Sequence, residues 1–513
     1  MILAGYGYHD SSVCLKDGNQ YFVYEFERFV QRRYSVLTQH FSSPHRVATD
    51  EEFIGFFDHI RKQHNIKKID IFYHHELYPC DFEKIKTLFD VKEFVRYDHH
   101  YAHAASVFRQ SPFTDCYIIS YDGNGLNKDE SMSSFTAWRA DNNKISLIRD
   151  FQKWESHSLG NCYIALSNCL SSIKSVESLS RPGKLMGLSA YGNVREEWKP
   201  YFERYFDLNL VMYFEELAQN LGLSLEPDSL TGPIELDFAA TIQWAFENKF
   251  FKTFNQLGIP EGSNLCVTGG CALNIPVNQR LFEMGYNVYV APNSGDCGLT
   301  TGIVADHYGD NNIDVTYQGF DILDKDYRDP DFPSINLDLP ALAKLLCRDR
   351  KIIGYIRGRS EVGPRALGNR SILCYPDSAG LKDKLNAEIK FREWYRPFGA
   401  ICKLESLDKY FEKACESPYM NFCPILKPEF RFDSVSHIDK TCRIQTVTRH
   451  QHAEIYDLLT AMENQGYVGM LLNTSFNIRG KPILTRLKDA FETLHQTKLD
   501  GFYYDGNYFS REI

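Results

Sequence analysis

The sequence predicts an α/β protein built from two linked domains. The chain has 513 residues, several times a single domain of about 150 residues, so two or three domains are expected. Strand-like and helix-like segments alternate between residues 264 and 307, which is typical of α/β layering. A pattern of strand, polar turn and hairpin in residues 1–26 recurs in residues 116–151. This recurrence predicts a duplicated fold in the N-terminal part.

The individual elements follow from local patterns. The first three strands are predicted in MILAGYGY, SVCLK and QYFVYEFE, which are separated by polar turns. Later, NLCVTGG and NVYVAPNSGDCG are predicted strands, and residues 299–307 are predicted to be helical. The repeated pattern of residues 1–26 and 116–151 resembles the actin/hexokinase-like superfamily, which is built from two copies of such a unit with a nucleotide or phosphate between them.

A second α/β domain is predicted after a boundary in residues 310–340, which are rich in Asp and Pro and lack periodicity. Beyond it, KIIGYIRG and VGMLLNTSFN are predicted strands, DKLNAEIKFRE is a predicted helix, and DGFYYDGNYFS is a predicted hairpin. We therefore expect domains at residues 1–335 and 340–513.

Composition excludes several classes of protein. A hydrophobic fraction of 43% with 24% charged residues is ordinary for a globular protein and excludes a mainly disordered or fibrous one. No apolar run approaches the roughly 18 residues of a membrane helix, and the N-terminus lacks the basic and apolar regions of a signal peptide. The fourteen cysteines include no CxxC pair, so reduced thiols are expected. A soluble, cytoplasmic protein without membrane contact is the resulting prediction.

Charge is divided unevenly along the chain. From residue 341 onward there are 27 Lys and Arg against 21 Asp and Glu, whereas the first 340 residues hold 30 against 46. The net charge of −10 argues against nucleic acid as the main partner. The basic C-terminal part suits a small anionic ligand such as a phosphate.

Two histidines and two aspartates form a candidate metal site. His99 and His103 share one face of a predicted helix, and imidazoles at this spacing chelate metal ions in other proteins. Asp122 and Asp296 each follow an apolar strand. Such a ligand set suits Fe(II), Mn(II) or Zn(II). The alternatives are solvated or core histidines and aspartates that form turns.

Glycine-rich turns and clustered cations are candidate anion sites. VTGGCALN (267–274) brings backbone amides near a nucleotide or phosphate, unless it is simply a tight turn. GPRALGNRSILCYPD (363–377) and the following IKFREWYRPFG supply several cations, suited to phosphate or carboxylate oxygens. The small polar groups of LLNTSFN leave a strand as an anion or ribose site would require. The alternative is a solvated charged surface.

Taken in order, the motifs resemble the O-carbamoyltransferase family that includes nodulation, cephamycin and nebramycin carbamoyltransferases. The resemblance rests on HDSS, DHHYAHAAS, YDGNG, GKLMGLSAYG, TGGCALN, GDCG, GPRALGNRS, IKFRE, RPFG and NTSFNIRGKP. It implies an actin/hexokinase-like, metal-binding N-terminal domain and a C-terminal domain similar to the YrdC type. The implied activity makes carbamoyl-AMP from carbamoyl phosphate and ATP, then transfers the carbamoyl group to a hydroxyl of a small metabolite, sugar or glycolipid.

The resemblance also implies roles for individual residues. It assigns iron, Fe(2+), to the candidate metal site, and Mg(2+) accompanies ATP. His9 is expected near the acceptor hydroxyl, with a turn-capping role as the alternative, and Lys390 and Arg396 are expected to be catalytic. The residues implied for carbamoyl phosphate and nucleotide are Arg365, Lys390, Arg396, Arg443, Asn473 and Ser475, and those for a nucleotide in the N-terminal domain are Gly269, Gly270 and Asn274.

One segment departs from the family pattern. A basic segment usual in the family is replaced here by FERFVQRRYS, so that Arg32 or Arg33 has to supply the cation.

Two other functions compete with this interpretation. A tRNA threonylcarbamoyl transferase is disfavoured by the acidic chain and by the fused GPRALGNRS-type domain. A catalytically silent nucleotide-binding regulator is disfavoured by the intact metal and cation positions. A homodimer is expected only because symmetric dimers are common among soluble enzymes.

Overall fold

The chain folds into two compact units. The computed structural model describes residues 1–38, 45–151, 158–175, 177–208, 210–377, 380–430 and 432–511. The first unit contains residues 1–21 and 34–313, and the second contains residues 22–33 and 314–513. The second unit therefore joins a short N-terminal segment to the C-terminal part of the chain.

Strands and helices are numbered in chain order over the described residues. The strands are β1 (Ile2–Tyr6), β2 (Ser12–Asp17), β3 (Gln20–Glu25), β4 (Lys68–His75), β5 (Asp90–Arg96), β6 (Asp115–Leu126), β7 (Met132–Asp141), β8 (Lys144–Asp150), β9 (Asn264–Thr268), β10 (Asn287–Val290), β11 (Ser334–Asn336), β12 (Ile353–Ile356), β13 (Arg370–Cys374), β14 (Gly399–Lys403), β15 (Phe411–Glu412), β16 (Ile425–Leu426), β17 (Ile444–Val447), β18 (Met470–Ser475), β19 (Gly501–Tyr504) and β20 (Asn507–Phe509). The helices are α1 (Phe26–Val30), α2 (Asp50–Gln63), α3 (Pro79–Lys86), α4 (His99–Gln110), α5 (Leu159–Ser167), α6 (Arg181–Leu188), α7 (Lys199–Asp207), α8 (Leu210–Leu221), α9 (Gly232–Asn255), α10 (Ile275–Glu283), α11 (Leu299–Tyr308), α12 (Leu339–Cys347), α13 (Leu381–Lys384), α14 (Leu407–Tyr410), α15 (Ala453–Asn464) and α16 (Leu487–Gln496).

The two five-stranded sheets share one topology. Their strand orders are β3-β2-β1-β4-β5 and β8-β7-β6-β9-β10. The central strand, β1 or β6, is antiparallel to the strand that follows it in the chain, β2 or β7, and parallel to its other neighbour, β4 or β9. The edge strand, β5 or β10, is parallel to β4 or β9. This repetition confirms the duplicated, actin/hexokinase-like fold predicted from the recurring hairpin pattern.

Helices α4 and α11 pack unusually closely in the first unit. Small buried residues, including Ala102 and Ala105, line α4. A Cβ atom on Gly302 of α11 would overlap the α4 backbone at Ala102 and Ser106. Because α4 begins at His99 and α11 follows Asp296 by three residues, this contact fixes two candidate metal ligands relative to each other.

The second unit is also α/β, as predicted, and is organised around one mixed sheet. The strand order is β11-β20-β19-β12-β13-β18-β14-β17. Residues alternate between two buried clusters along each central strand. On β18, for example, Met470 and Leu472 belong to one cluster and Leu471 to the other. The sheet therefore has a buried apolar layer on each face.

Arg28 explains why residues 22–33 belong to the second unit. Its guanidinium donates hydrogen bonds to the backbone carbonyls of Glu361 and Gly363, and its Nε lies 2.7 Å from Oε2 of Glu25. The Arg28 side chain is only 3% exposed. A buried guanidinium needs such partners, and it ties α1 to the loop that precedes β13.

The predicted helix DKLNAEIKFRE ends earlier than expected. Helix α13 continues as a π-helical turn over Leu385–Ile389, and Phe391 then adopts a positive φ of 47°. A left-handed residue terminates a helix, so Phe391–Glu393 form a loop instead of a last helical turn.

Two predictions about general character can be compared with the structure. Across the described ranges, every helix is too short or too polar to cross a lipid bilayer. All fourteen cysteines lie within these ranges and are free thiols, as predicted.

We expect Gly302→Ala to lower the free energy of unfolding by about 1–3 kcal/mol, because the added methyl group overpacks the α4–α11 contact. Chemical denaturation followed by circular dichroism measures the change. The control is Gly183→Ala in α6, where a Cβ would meet nothing within 4 Å. Equal stabilities for the two variants would contradict this account of the contact.

Candidate metal centre and anion site

Helix α4 presents two histidines to one point. His99 and His103 are four residues apart, and their Nε2 atoms lie 3.1 Å from each other. The side chains are 3% and 0% exposed. The intervening His100 faces elsewhere, since its ring nitrogens contact Oγ of Ser120 and the carbonyl of Ser133. The structure thus brings together the two histidines that share one helix face and separates His100 from them.

Asp122 reaches the same point from an irregularity in β6. The pairing of β6 with β7 shifts register between Tyr121 and Gly125, and Asp122 lies within this interruption. One of its carboxylate oxygens, Oδ1, accepts a 2.6 Å hydrogen bond from the amide of Gly123. The other, Oδ2, lies 3.1 Å from Nε2 of His103.

Gly125 makes room for a histidine ring. A Cβ atom at this position would overlap the imidazole of His99. The second glycine of the YDGNG motif is therefore a steric requirement of the centre.

Asp296 lies in the turn between β10 and α11 and completes the group. Its Oδ1 atom is 3.2 Å from Nε2 of His103 and 3.6 Å from Nε2 of His99. Its Oδ2 atom accepts a 2.7 Å hydrogen bond from the hydroxyl of Tyr6. Sequence analysis missed Tyr6, a strand residue whose apolar context gave no signal of this contact.

These four side chains have the geometry of a metal site. Their ligand atoms all lie within 4.8 Å of one another. Ligand atoms about 2.1 Å from a common ion lie roughly 3.0–3.4 Å apart, close to the distances observed here. Two imidazoles and two carboxylates are suitable donors for a borderline or hard divalent ion. The residues predicted from the sequence can therefore hold a metal ion.

Electrostatics at the centre favour positive charge. Burial opposes a charged imidazole, but hydrogen bonds and charge from Asp122 and Asp296 outweigh it and raise the pKa of His103 to about 9. Burial likewise opposes ionisation of Asp122, yet His103 and His99 hold the pKa of this carboxyl well below its usual range. A buried pair of ionised carboxylates attracts a cation.

His9 lies beside this centre. It follows β1, and its Nδ1 atom is 3.6 Å from Oδ2 of Asp296 and 3.5 Å from Asp10. Burial lowers the pKa of His9, but the charge of Asp296 and the hydrogen bond to Asp10 raise it to about 9.

The glycine turn after β9 adjoins Asp122, but Asn274 is engaged elsewhere. A Cβ on Gly270 would lie 2.9 Å from Oδ1 of Asp122, and Gly269 has a positive φ of 93°. The Asn274 amide exchanges hydrogen bonds of 3.0 and 3.2 Å with Gln243 and caps α10. Its side-chain donor is therefore committed to packing within the first unit.

A second concentration of charge lies in the second unit. Arg365, Lys390, Arg392, Arg396 and Arg443 are close enough to disfavour one another's positive charge. Desolvation and neighbouring guanidinium groups hold the pKa of Arg365 well below its usual range and lower the pKa of Arg443 to about 10. We call these five residues the cation cluster.

The cation cluster has an excess of positive charge. Glu393 pairs with Arg396 at 3.3 Å, and among the described residues no other carboxylate forms an ion pair with one of these five cations. The Nε atoms of Arg365 and Arg443 are buried and make no hydrogen bond within the described residues. Unpaired guanidinium donors among like charges are suited to an anion with several oxygen atoms.

Lys390 is held firmly at one side of the cluster. Its ammonium donates to the carbonyls of Ser475 and Asn477 and to Oδ1 of Asn477, each at 2.6 Å, and it lies 3.4 Å from Oγ of Ser475. The charge of Arg33 also acts on Lys390. The structure thus brings Lys390 and Ser475 together, and it places Arg33 of the divergent basic segment in the same neighbourhood.

Asn473 supports the loop that carries Arg365. It is fully buried, and its Nδ2 donates at 2.9 Å to both the carbonyl of Ala366 and Oε1 of Gln445. Glu361, which the sequence analysis missed, shapes the same loop. One of its oxygens accepts hydrogen bonds of 2.7–3.0 Å from the amides of Leu367, Asn369 and Arg370.

Arg370, which the GPRALGNRS motif contains, is not part of the cation cluster. It is fully buried and donates to the backbone carbonyls of Arg357, Gly358 and Asn369. This guanidinium is therefore structural, in contrast to Arg365.

Comparison with known proteins places the chain in a family. The carbamoyltransferase N-terminus model matches residues 6–305, and the carbamoyltransferase C-terminus model matches residues 343–511. The chain therefore belongs to the carbamoyltransferase family, as the sequence motifs predicted.

The family includes characterised relatives of moderate similarity. The 3'-hydroxymethylcephem-O-carbamoyltransferase of Streptomyces clavuligerus is 32% identical over 331 residues, which is 61% of this chain and 61% of that protein. Nodulation protein NolNO of Sinorhizobium fredii is 30% identical over 433 residues, or 79% of this chain and 62% of that protein. The alignments thus span less than two thirds of each of these relatives.

A search of solved structures finds a weaker similarity. Full-length HypF, in its phosphate- and nucleotide-bound form, aligns with a TM-score of 0.35 and 16% identity, covering 60% of this chain and 46% of HypF.

We expect Gly125→Ala to reduce bound metal, because the methyl group displaces the His99 ring from the centre. Disturbing the support of a ligand typically lowers metal affinity about 10- to 100-fold. The measurement is metal content by inductively coupled plasma mass spectrometry after dialysis. Gly123→Ala is the control, since its Cβ would approach only Oδ1 of Asn161, at 3.3 Å. Wild-type metal content in Gly125→Ala would contradict the steric role.

We expect Arg443→Ala to weaken binding of inorganic pyrophosphate about 10- to 100-fold, because one charged donor of the cation cluster is lost. Isothermal titration calorimetry measures the dissociation constant, and wild-type affinity should fall as salt is added. Arg350→Ala removes a surface guanidinium that pairs with Asp377 at 2.7 Å and serves as the control. Equal affinities for the two variants would count against an anion site at the cluster.

Proposed function

We propose that the chain is an ATP-dependent O-carbamoyltransferase that works in two steps. The second unit makes carbamoyl-AMP from carbamoyl phosphate and ATP, and the first unit transfers the carbamoyl group to a hydroxyl. The observation that carries this proposal is that one chain of this family contains two sites. One is the cation cluster, in which cations outnumber carboxylates, and the other is the buried centre of two histidines and two aspartates.

The first step brings two highly charged substrates together. Water releases phosphate from carbamoyl phosphate and leaves carbamate. A carbamate oxygen then attacks the α-phosphorus of ATP, the bond to the β-phosphate bridging oxygen breaks, and pyrophosphate departs. Arg365, Arg396 and Arg443 offset the phosphate charges, with Mg(2+) accompanying ATP. Lys390, fixed by Ser475 and Asn477, adds a positioned ammonium group to the same site.

The second step takes place at the first unit's centre. His99, His103, Asp122 and Asp296 would hold a divalent ion, for which we propose Fe(2+), and such an ion would supply positive charge to phosphate oxygens. The acceptor oxygen attacks the carbonyl carbon of carbamoyl-AMP, the bond from that carbon to the AMP oxygen breaks, and AMP departs. The proton of the acceptor hydroxyl passes to water, and His9, which lies 3.6 Å from Asp296 and stays charged because its pKa is raised, is proposed to lie near the acceptor oxygen.

The acceptor is proposed by chemical class. A hydroxyl of a small metabolite, sugar or glycolipid fits an enzyme that activates a carbamoyl group without acting on nucleic acid. The acidic first 340 residues and the overall charge of −10 support this choice over a polyanionic acceptor.

We expect the purified chain, given carbamoyl phosphate, ATP and Mg(2+), to release pyrophosphate and form carbamoyl-AMP. Arg396→Ala should reduce pyrophosphate release at least about 100-fold, because it removes charge stabilisation in the first step. His99→Ala should leave that release within about twofold of wild type and abolish carbamoylation of pooled hydroxylated metabolites. Coupled pyrophosphate detection and mass spectrometry provide the two measurements.

Two outcomes would reject parts of the scheme. Pyrophosphate release that does not require carbamoyl phosphate would reject the proposed first step. Loss of carbamoyl-AMP formation in a folded His99→Ala variant would show that the two units do not divide the reaction as proposed.

A further inference from the structure

The loop after the π-helical turn contains an aromatic residue where glycine is favoured. Phe391 has a φ of 47°, and the amide of Arg392 donates a 3.0 Å hydrogen bond to the carbonyl of Asn386 across it. This arrangement resembles a common helix terminus whose left-handed position is usually glycine. A side chain with a Cβ is strained in this backbone conformation.

Burial does not compensate for this strain. The side chain of Phe391 is 41% exposed, and Trp394 in the same loop is 57% exposed. Among the residues that the structure describes, no other phenylalanine or tryptophan is as exposed as these two. Much of the surface of both aromatic side chains is therefore accessible to a ligand.

The exposed loop is nevertheless held in a defined shape. Asn386 is 2% exposed, and its Nδ2 donates to the carbonyls of Trp394 at 3.4 Å and Arg396 at 3.2 Å. Its Oδ1 accepts a 2.7 Å hydrogen bond from Nε of Arg392. One buried amide thus fixes the backbone on either side of the tryptophan together with a residue of the cation cluster.

The combination of residues indicates a ligand with both an anionic part and a planar ring. Lys390, Arg392 and Arg396 belong to the cation cluster, and the two aromatic residues alternate with them along the same loop. Nucleotides are recognised by such a mixture, in which cations contact phosphates and aromatic faces stack on bases. We infer that Phe391 and Trp394 form the surface on which the base of ATP stacks. This inference rests on the proposed function and assigns the base-binding part of its ATP site.

The test compares a ligand that has a base with one that lacks it. Isothermal titration calorimetry on the full chain, with Mg(2+), measures the affinity for ATP and for inorganic tripolyphosphate. Trp394→Ala should weaken ATP binding about 5- to 100-fold and leave tripolyphosphate binding within about twofold of wild type. Phe391→Gly should show the same selectivity, while its thermal midpoint should be no lower than that of wild type, because glycine relieves the left-handed strain.

A control variant and several contrary outcomes complete the test. Tyr201→Ala removes a 37% exposed aromatic residue from the first unit and should change neither affinity. Unchanged ATP affinity in both loop variants, or equal losses for ATP and tripolyphosphate, would overturn the stacking role while leaving the proposed function in place. If the wild-type chain bound ATP no more tightly than tripolyphosphate, the stacking role would be overturned as well. Failure of the wild type to bind either ligand would overturn the proposed function together with this inference.

Discussion

Crowding of ionisable side chains away from water is the constraint that organises both sites. In the first unit, two aspartates and two histidines bring their ligand atoms within 4.8 Å of one another. In the second unit, burial and neighbouring guanidinium groups lower the pKa values of Arg365, Lys390 and Arg392. Such arrangements are unfavourable in isolation and become favourable when an ion of opposite charge is bound. The local structure therefore has to prevent these side chains from moving apart.

Residues that touch no expected ligand provide that restraint. Tyr6 holds one oxygen of Asp296, so that the other faces the histidines. Glu361 gathers three backbone amides and shapes the loop on which Arg365 lies. Asn386 joins both sides of the segment that carries Arg392 and Arg396. In each case a buried polar group stabilises the backbone conformation that the charged side chains require.

The sequence predicted the parts of this structure that have a local pattern. Helical spacing identified His99 and His103, and polar residues at strand ends identified Asp122 and Asp296. Hairpin signals predicted the duplication, which the strand order confirms. Contacts between distant segments left no such pattern. The roles of Tyr6, Glu361 and Asn386 were missed for this reason, and so were the hydrogen bonds by which the amide nitrogens of Asn274 and Asn473 join distant segments.

The placement of residues 22–33 has a consequence for how the chain is assembled. Arg28 bonds to the carbonyl of a residue 333 positions later, so the second unit receives part of its structure from the beginning of the chain. During synthesis this early segment leaves the ribosome long before Glu361 and Gly363 are made. Until then the side chain of Arg28, which is buried in the folded chain, remains exposed to water. Folding of the second unit consequently requires residues 22–33 to pack against segments about 300 positions later, and contacts of such large sequence separation are expected to form slowly. A fragment that starts at residue 314 would lack residues 22–33 and would therefore be an incomplete second unit, whereas residues 1–313 contain all of the first unit.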